Sequence, residues 1–334
     1  MPRILKQRRL VAVAAGIDIC RALLQVCLLD AAGETRQVEF PNTPDGHQQL
    51  LKWLRPGVPV ALEATANFSL DLSVTLVRAG LSVMVLNPRQ ARDFAGSLNL
   101  RAKTDRVDAE MLAKAALCLD LPLYQPPAGL RLELRGLMRR HVDLTTTRSG
   151  EKHRRHAVDA AQSLGTRVQQ SIDRHIAVIE AELDVLEAEA LELVAQDPEL
   201  HEFYQRLVAI KGIGQITALR LVGEVGCLPT GLTARQWTAW AGLDPRPHES
   251  GPHRGQRRIS KRGSVYVRRS LFMSVLVAVQ HNPAFRAYYE RLLARSKAKM
   301  VALVAAMRKL LTAAWALATH HEDFDEHKLF RQEA

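Results

Sequence analysis

In the first 120 residues the spacing of apolar side chains switches repeatedly between a period of two and a period near 3.6. Few folds accommodate the order in which it does so. Val11–Ile17 and Leu23–Asp30 are apolar runs separated by a short polar turn, and Arg36–Phe40 follows through Ala31-Ala32-Gly33. The three predict an antiparallel meander. Thr43–Leu54 has helical spacing, with Asn42 or Thr43 as cap and Leu50, Leu51 and Leu54 inward. Val58–Leu62 reads as a strand, Phe68–Ala79 as a helix ended by Gly80, and Leu81–Leu86 as a strand stopped by Asn87-Pro88. Thr104–Leu119 reads as a helix. The order βββαβαβα predicts a ribonuclease-H-like α/β domain. The competing doubly wound dinucleotide fold lacks its glycine fingerprint after the first strand.

The proline-rich stretch Leu121–Gly129 ends this pattern, so residues 1–124 form the first predicted domain. Residues 125–205 read as a helical segment. Its first part, Arg131–Arg155, is basic. In its second part Ile176, Ile179, Leu183, Leu186, Ala190 and Leu193 step by three and four, and six acids lie between residues 180 and 192. That heptad seam predicts either a helical hairpin or an intersubunit coiled coil. Residues 206–334 form the third part, an all-α C-terminal domain interrupted by a Gly/Pro/Arg-rich loop from Gly242 to Gly263.

Charge narrows the function. Lys and Arg number 46 against 35 Asp and Glu, a net charge of +11, so a polyanion is the leading partner class. Cys20, Cys27, Cys118 and Cys227 form no C-x-x-C pair, and the twelve His residues include no H-E-x-x-H, so neither a disulfide framework nor a zinc site is indicated. His153 and His156 read as solvated helix residues. The basic start MPRILKQRRL leads into a stretch carrying Asp18 and Arg21, a poor secretory signal, and no uncharged run reaches membrane-span length. We expect a cytoplasmic, nucleoid-associated protein with no membrane partner.

Three constellations could carry chemistry. Asp18 and Glu63 end apolar runs, so their carboxylates emerge at strand ends, while Asp105 and Asp108 lie one helical turn apart. In a ribonuclease-H-like sheet the first and fourth strands are adjacent, and a later helix can bring the other two acids to them. Four converging carboxylates require divalent cations, and two Mg2+ ions about 4 Å apart serve phosphodiester chemistry. Taken singly, Asp18 could be a turn residue, and Thr104 or Asp105 a helix cap. The second constellation is Leu207-x-x-Ile210-x-Gly212-Ile213-Gly214-x-x-x-Ala218-x-x-Leu221, a helix-hairpin-helix pattern. Gly212, Gly214 and Lys211 would meet a phosphate there. An ordinary helical hairpin would show the same glycines. The third is the loop, where Arg246, Arg254, Arg257, Arg258, Lys261, Arg262, Arg268 and Arg269 face a single acid, a density suited to nucleic-acid phosphates. A serine in such a setting can attack a phosphodiester. The loop alone leaves Ser250, Ser260 and Ser264 as equal candidates, or as solvated serines.

The chain resembles the insertion-sequence 110 family of DEDD transposases, the bridge-RNA-guided recombinases. The resemblance rests on Gly16-Ile17-Asp18, Glu63-Ala64-Thr65, Asn87-Pro88 and Lys103-Thr104-Asp105-x-x-Asp108-Ala109. It continues through Gly212-Ile213-Gly214, Ala241-Gly242-Leu243-x-Pro245, Glu249-Ser250-Gly251, Val267-Arg268-Arg269-Ser270-Leu271 and Met307-Arg308-Lys309-Leu310. It implies a RuvC-like domain with Asp18, Glu63, Asp105 and Asp108 as Mg2+-binding acids, and a C-terminal domain with Ser250 as nucleophile. It also implies a composite site between subunits, dimers assembling to a tetramer, and a noncoding guide (bridge) RNA that pairs with donor and target DNA. The chain departs from the family at Ala64-Thr65-Ala66-Asn67-Phe68, where Ala-Thr-Gly-x-Tyr is frequent, and lacks the Thr or Ser common after Asp18. Neither change removes a carboxylate.

The expected function is therefore a site-specific DNA recombinase that works through a phosphoserine intermediate. The competing enzyme is a RuvC-like Mg2+-dependent junction nuclease that uses water. The competitor from another class is a noncatalytic nucleic-acid-binding protein. An actin-like ATPase is weaker, because no glycine-rich phosphate loop accompanies Asp18. The basic run Arg131–Arg155 is the expected RNA contact, or else an exposed helix face.

Overall fold

The computed structural model describes residues 12–65, 67–100, 104–161, 166–246, 249–250, 253–254, 258–320 and 324. Lys103, Gly251, Arg257 and the first eleven residues lie outside these, and so does the tail after His320 apart from Phe324. The chain divides into two compact units, Met1–Pro126 and Pro127–Ala334.

In the first unit β1 (Ala12–Ile19), β2 (Leu23–Asp30) and β3 (Thr35–Pro41) form the expected meander. Then follow α1 (Pro44–Trp53), β4 (Val60–Glu63), α2 (Leu70–Arg78), β5 (Val83–Leu86), α3 (Pro88–Ser97) and α4 (Asp105–Cys118). The sheet order is β3-β2-β1-β4-β5, with β4 and β5 parallel to β1. The strands alternate between two cores. Ile17, Ile19, Val60 and Leu62 pack with Leu50, Leu54, Leu72 and Leu76 of the α1/α2 side. Ala14 and Ala61 pack with Met111, Leu112 and Ala115 of α4. Because neighbours in a strand face opposite ways, Gly16, Asp18 and Glu63 belong to the α4 face.

One element corrects the sequence reading. Asn87-Pro88 ends β5, but it also starts α3. Asn87 accepts from the backbone N–H groups of Arg89 and Gln90, and Gln90 returns the bond to Asn87 N–H. Pro88 takes the first helical position, where it loses no hydrogen bond. The same dipeptide stops a strand and caps a helix, and with Ala91 the only buried residue of α3 no apolar stripe announces the helix.

The second unit is helical: α5 (Gly129–Asp159), α6 (Thr166–Gln196), α7 (Pro198–Val208), α8 (Gln215–Val225) and α9 (Ala234–Trp240). Four two-residue strands follow: β6 (Pro245–Arg246), β7 (Glu249–Ser250), β8 (His253–Arg254) and β9 (Arg258–Ile259). They precede α10 (Val265–His281), α11 (Pro283–Ala294) and α12 (Lys299–His320). Helices α5 and α6 pack on each other within the chain, the hairpin alternative. Leu144, Ile179, Leu183 and Leu186 form a thin apolar seam between them. The far part of the basic run meets acids of α6 and of its own helix. Lys152 and Arg148 pair with Glu180, and Arg155 with Asp173 and Asp159. With Arg131 paired to Asp197 and Glu199, Arg139 to Glu224 and Arg154 to Glu151, most of the basic run is answered inside the chain.

The expected boundary between 205 and 206 is not a packing boundary. Leu134, Met138, Ala190 and Val194 of the hairpin share one core with Leu207, Leu221, Trp237, Leu271 and Leu310. Helix α12 is long and apolar enough to cross a membrane, but Ala306, Leu310, Leu311 and Ala314 are buried in that core. An ion pair between half-buried Arg139 and buried Glu224 ties the hairpin to it. Arg139 donates to Glu224 from Nε (2.5 Å) and from its terminal nitrogen (3.1 Å), and Ser264 Oγ donates to the same carboxylate at 3.0 Å. Glu224 is 3% exposed, so Arg139→Ala leaves a carboxylate buried without its cation. We expect it to lower unfolding stability by about 3 kcal/mol in a urea titration, with a much smaller loss for Arg89→Ala, whose pair with Asp93 is exposed on both sides.

Candidate active site

Four carboxylates meet at the carboxyl end of β1. Its parallel pairing with β4 sets Ile17 opposite Leu62, so Asp18 and Glu63 follow at the same level on adjacent strands. Helix α4 brings the other two. It lies so close to β1 that a Cβ on Gly16 would stand 2.0 Å from Ala109 O and 2.2 Å from Ala113 N. A glycine inside a strand is a sign of such close backbone approach. The cap of α4 is Thr104, whose hydroxyl accepts from Val107 N at 3.3 Å. Asp105 and Asp108 are thus not needed as caps, and both stand in the first helical turn, where the helix dipole favours negative charge.

The cluster shows in the titration of Asp18. Its carboxyl is pushed up to about 6, first by burial, then by the negative charges of Asp108 and Asp105, and to a smaller extent by that of Glu63. A backbone hydrogen bond from Ile19 works in the opposite direction. The four side chains therefore share one electrostatic field. The chemistry of four carboxylates in one field fits a divalent cation held by Asp18, Glu63, Asp105 and Asp108. Among the described residues, no three His, Cys, Asp or Glu side chains yet converge as ligands of a single ion. The carboxylates repel one another, and a cation would draw them together.

In the second unit, α7 and α8 are joined through Gly212, which adopts φ +114°, and a Cβ there would stand 2.7 Å from Ala278 Cβ. Gly214 is the N-cap of α8, and Lys211 is exposed beside it. The loop that follows is closed by two antiparallel pairings, one nested within the other in sequence. Pro245 pairs with Ile259 and Arg246 with Arg258, while Glu249 pairs with Arg254 and Ser250 with His253. The side chains of Ser250 and Arg254 lie outside what is described. The rival serines have other tasks. Ser260 is buried and donates to Asp244, and Ser264 caps α10 while donating to Glu224.

The basic residues of this loop differ in kind. Arg246, Arg258, Lys261, Arg262 and Arg269 are exposed. Arg268 is not a free cation, because its guanidinium donates to Ala241 O (2.9 Å), Gly263 O (2.9 Å) and Ser264 O (3.2 Å). It holds the base of the loop, a role that charge density alone does not reveal.

Two family models match in chain order. One, described as transposase and carrying the DEDD designation, spans residues 15–158, and the IS116/IS110/IS902 transposase family spans residues 204–290. The chain belongs to the IS110 family of transposases. The transposase is 28% identical over 323 residues to the pilin gene-inverting protein of Moraxella bovis, covering 93% of this chain and 97% of that one. It is 25% identical over 339 residues to the transposase for insertion sequence element IS1111A of Coxiella burnetii, covering 92% and 90%. Among solved structures, T. thermophilus RuvC in complex with Holliday junction substrate aligns with 34% of this chain and 99% of that one, at 18% identity and a TM-score of 0.26. Membership makes this an insertion-sequence transposase, an enzyme that transfers DNA strands. The DEDD family region spans the α/β unit and most of α5, and the second family region lies within the helical unit.

Proposed function

We propose that this transposase is a site-specific recombinase that cuts and rejoins donor and target DNA through a phosphoserine link at Ser250. The observation that carries the reading is the negative field that Asp108, Asp105 and Glu63 impose on Asp18. Such repulsion lowers stability and is retained where a cation and a phosphate are to be bound.

Asp18, Glu63, Asp105 and Asp108 would hold Mg2+, which supplies neutralising charge for the scissile phosphate when bound. Ser250 Oγ forms a bond to phosphorus as the bond from phosphorus to a deoxyribose oxygen breaks, the serine losing its proton to solvent and the departing oxygen taking one up as a hydroxyl. Rejoining reverses the step on a new strand end, so no phosphodiester bond energy is lost to water. The basic residues Arg246, Arg254, Arg257, Arg258, Lys261, Arg262 and Arg269, with Lys211, Gly212 and Gly214 of a helix-hairpin-helix turn, bind the phosphate backbone. Arg268 supports them by holding the loop. A noncoding guide RNA selects the sites, and dimers assemble to a tetramer in which the acids of one subunit work with the serine of another.

The test is a denaturing gel of the protein with its copurified RNA, matched DNA and Mg2+. A covalent protein–DNA band in the wild type and none in Ser250→Ala is the expected result. An adduct that survives Ser250→Ala removes that residue as nucleophile. Cleavage with no adduct in either protein would assign a water-using nuclease instead.

A further inference from the structure

The β1–β2 turn and the loop after β4 leave the sheet at the edge where Asp18 and Glu63 stand, and one side chain joins them. Asn42 donates through its amide nitrogen to Cys20 O (3.0 Å) and Phe68 O (3.2 Å). With that nitrogen engaged as a donor, Asn42 Oδ1 accepts from His47 Nε2 at 2.8 Å. The imidazole proton is thereby assigned to Nε2. His47 is buried, and burial holds its pKa below the usual range despite the nearby Asp71. The ring is therefore neutral, and Nδ1 is an acceptor.

Beside this relay lies a cavity of about 320 Å³, lined among others by Arg21, His47, Gln48, Asn67, Phe68 and Asp71. Phe68 keeps 43% of its surface in solvent. The lining residues combine an aromatic ring, a guanidinium, the three carboxamides of Asn42, Gln48 and Asn67, and two acceptors in the neutral His47 ring and Asp71. A nucleotide matches this set. Its base can stack on the ring, its phosphate can meet the guanidinium, and an exocyclic amine can donate to the acceptors. Adenine, cytosine and guanine carry that amine, and thymine does not.

Building on the reading of the carboxylate cluster as the phosphodiester site, we propose that this cavity receives one unstacked nucleotide of the DNA strand bound there. An amine-bearing base lies against Phe68 and its phosphate lies at Arg21. A strand crossing the sheet edge would then have its scissile phosphate on the α4 face and a neighbouring base on the α1/α2 face.

The test uses the full-length protein in metal-free buffer with short single-stranded oligomers of deoxycytidine or deoxythymidine, and a third oligomer carrying one 2-aminopurine. The wild type should prefer deoxycytidine to deoxythymidine. Phe68→Ala should weaken deoxycytidine binding roughly 5- to 150-fold and abolish the change in 2-aminopurine emission, while Phe68→Tyr retains both. Equal affinity of the wild type for the two homopolymers, or a Phe68→Ala protein that binds and responds like the wild type, overturns the proposal. Asp18→Asn separates this from the preceding reading. A Phe68-dependent response alongside an active Asp18→Asn enzyme removes the role of the cluster and leaves the nucleotide site. An inactive Asp18→Asn enzyme with no Phe68 dependence does the reverse.

Discussion

Asp18→Asn should abolish strand transfer and yet leave the metal-free protein more stable at pH 8 than the wild type. The two effects have one origin. The Asp18 carboxyl ionises near 3.8 in the unfolded chain and near 6 in the folded one, so between those values the native state holds an extra proton. Native stability is therefore greatest below the unfolded value, falls as pH rises through 6, and carries the full cost above it. Two pH units correspond to at most about 3 kcal/mol, and partial exposure of the carboxyl reduces this to about 1–2 kcal/mol. Asparagine cannot ionise, so melting at pH 8 should rise by a few degrees. Mg2+ should raise the melting temperature of the wild type and have little effect on the variant. Strand transfer should fall roughly a thousand-fold or more, since a lost ligand removes several kcal/mol of charge stabilisation. A variant that is less stable than the wild type at pH 8, or that still transfers strands, would contradict the cluster.

Gly16→Ala should have the larger effect on folding. The added methyl would meet Ala109 O and Ala113 N, both backbone atoms of α4, at about half of normal contact distance. No rotamer change relieves such a clash, so the helix must move off the strand. We expect a loss of about 3 kcal/mol or more in denaturant unfolding. We also expect the Mg2+-dependent rise in melting temperature to disappear, because Asp105 and Asp108 move with the helix. Gly96→Ala, at a position open on all sides, serves as the control and should change little. Wild-type stability in Gly16→Ala would mean that α4 does not ride on β1 as closely as described.

What was legible in the sequence follows from the range of the interactions involved. The meander, β4, β5 and α4 were readable because each announces itself by its own apolar spacing. Helix α3 was not, since Asn87-Pro88 serves as a stop and a start together and α3 buries only Ala91. The acids could be named from their places at strand ends and one helix turn. The reason they meet could not, because it lies in a contact between Gly16 and residues more than ninety positions away. The opposite charges of Arg131–Arg155 and residues 180–192 left intrachain and interchain pairing equally open, and only the packing of α5 on α6 decides between them. Counting Arg268 with its basic neighbours failed for a related reason. Its charge is visible in the sequence, but the three carbonyls it serves are set by the fold.

The α5/α6 hairpin has a mechanical consequence. Each helix has 31 residues, a rod of about 46 Å at 1.5 Å per residue. Its root is embedded in the helical core through Leu134, Met138, Ala190 and Val194. Beyond Leu144 and Ile179 the described residues of the two helices include no buried apolar side chain, and the two rods are held together there by ion pairs. Such an arm is a lever with a dry pivot and a wet tip. A tilt of about 10° at the root carries the far end about 8 Å. Small repacking around Leu134 and Val194 is thereby amplified at the tip, while salt loosens the tip without reaching the pivot.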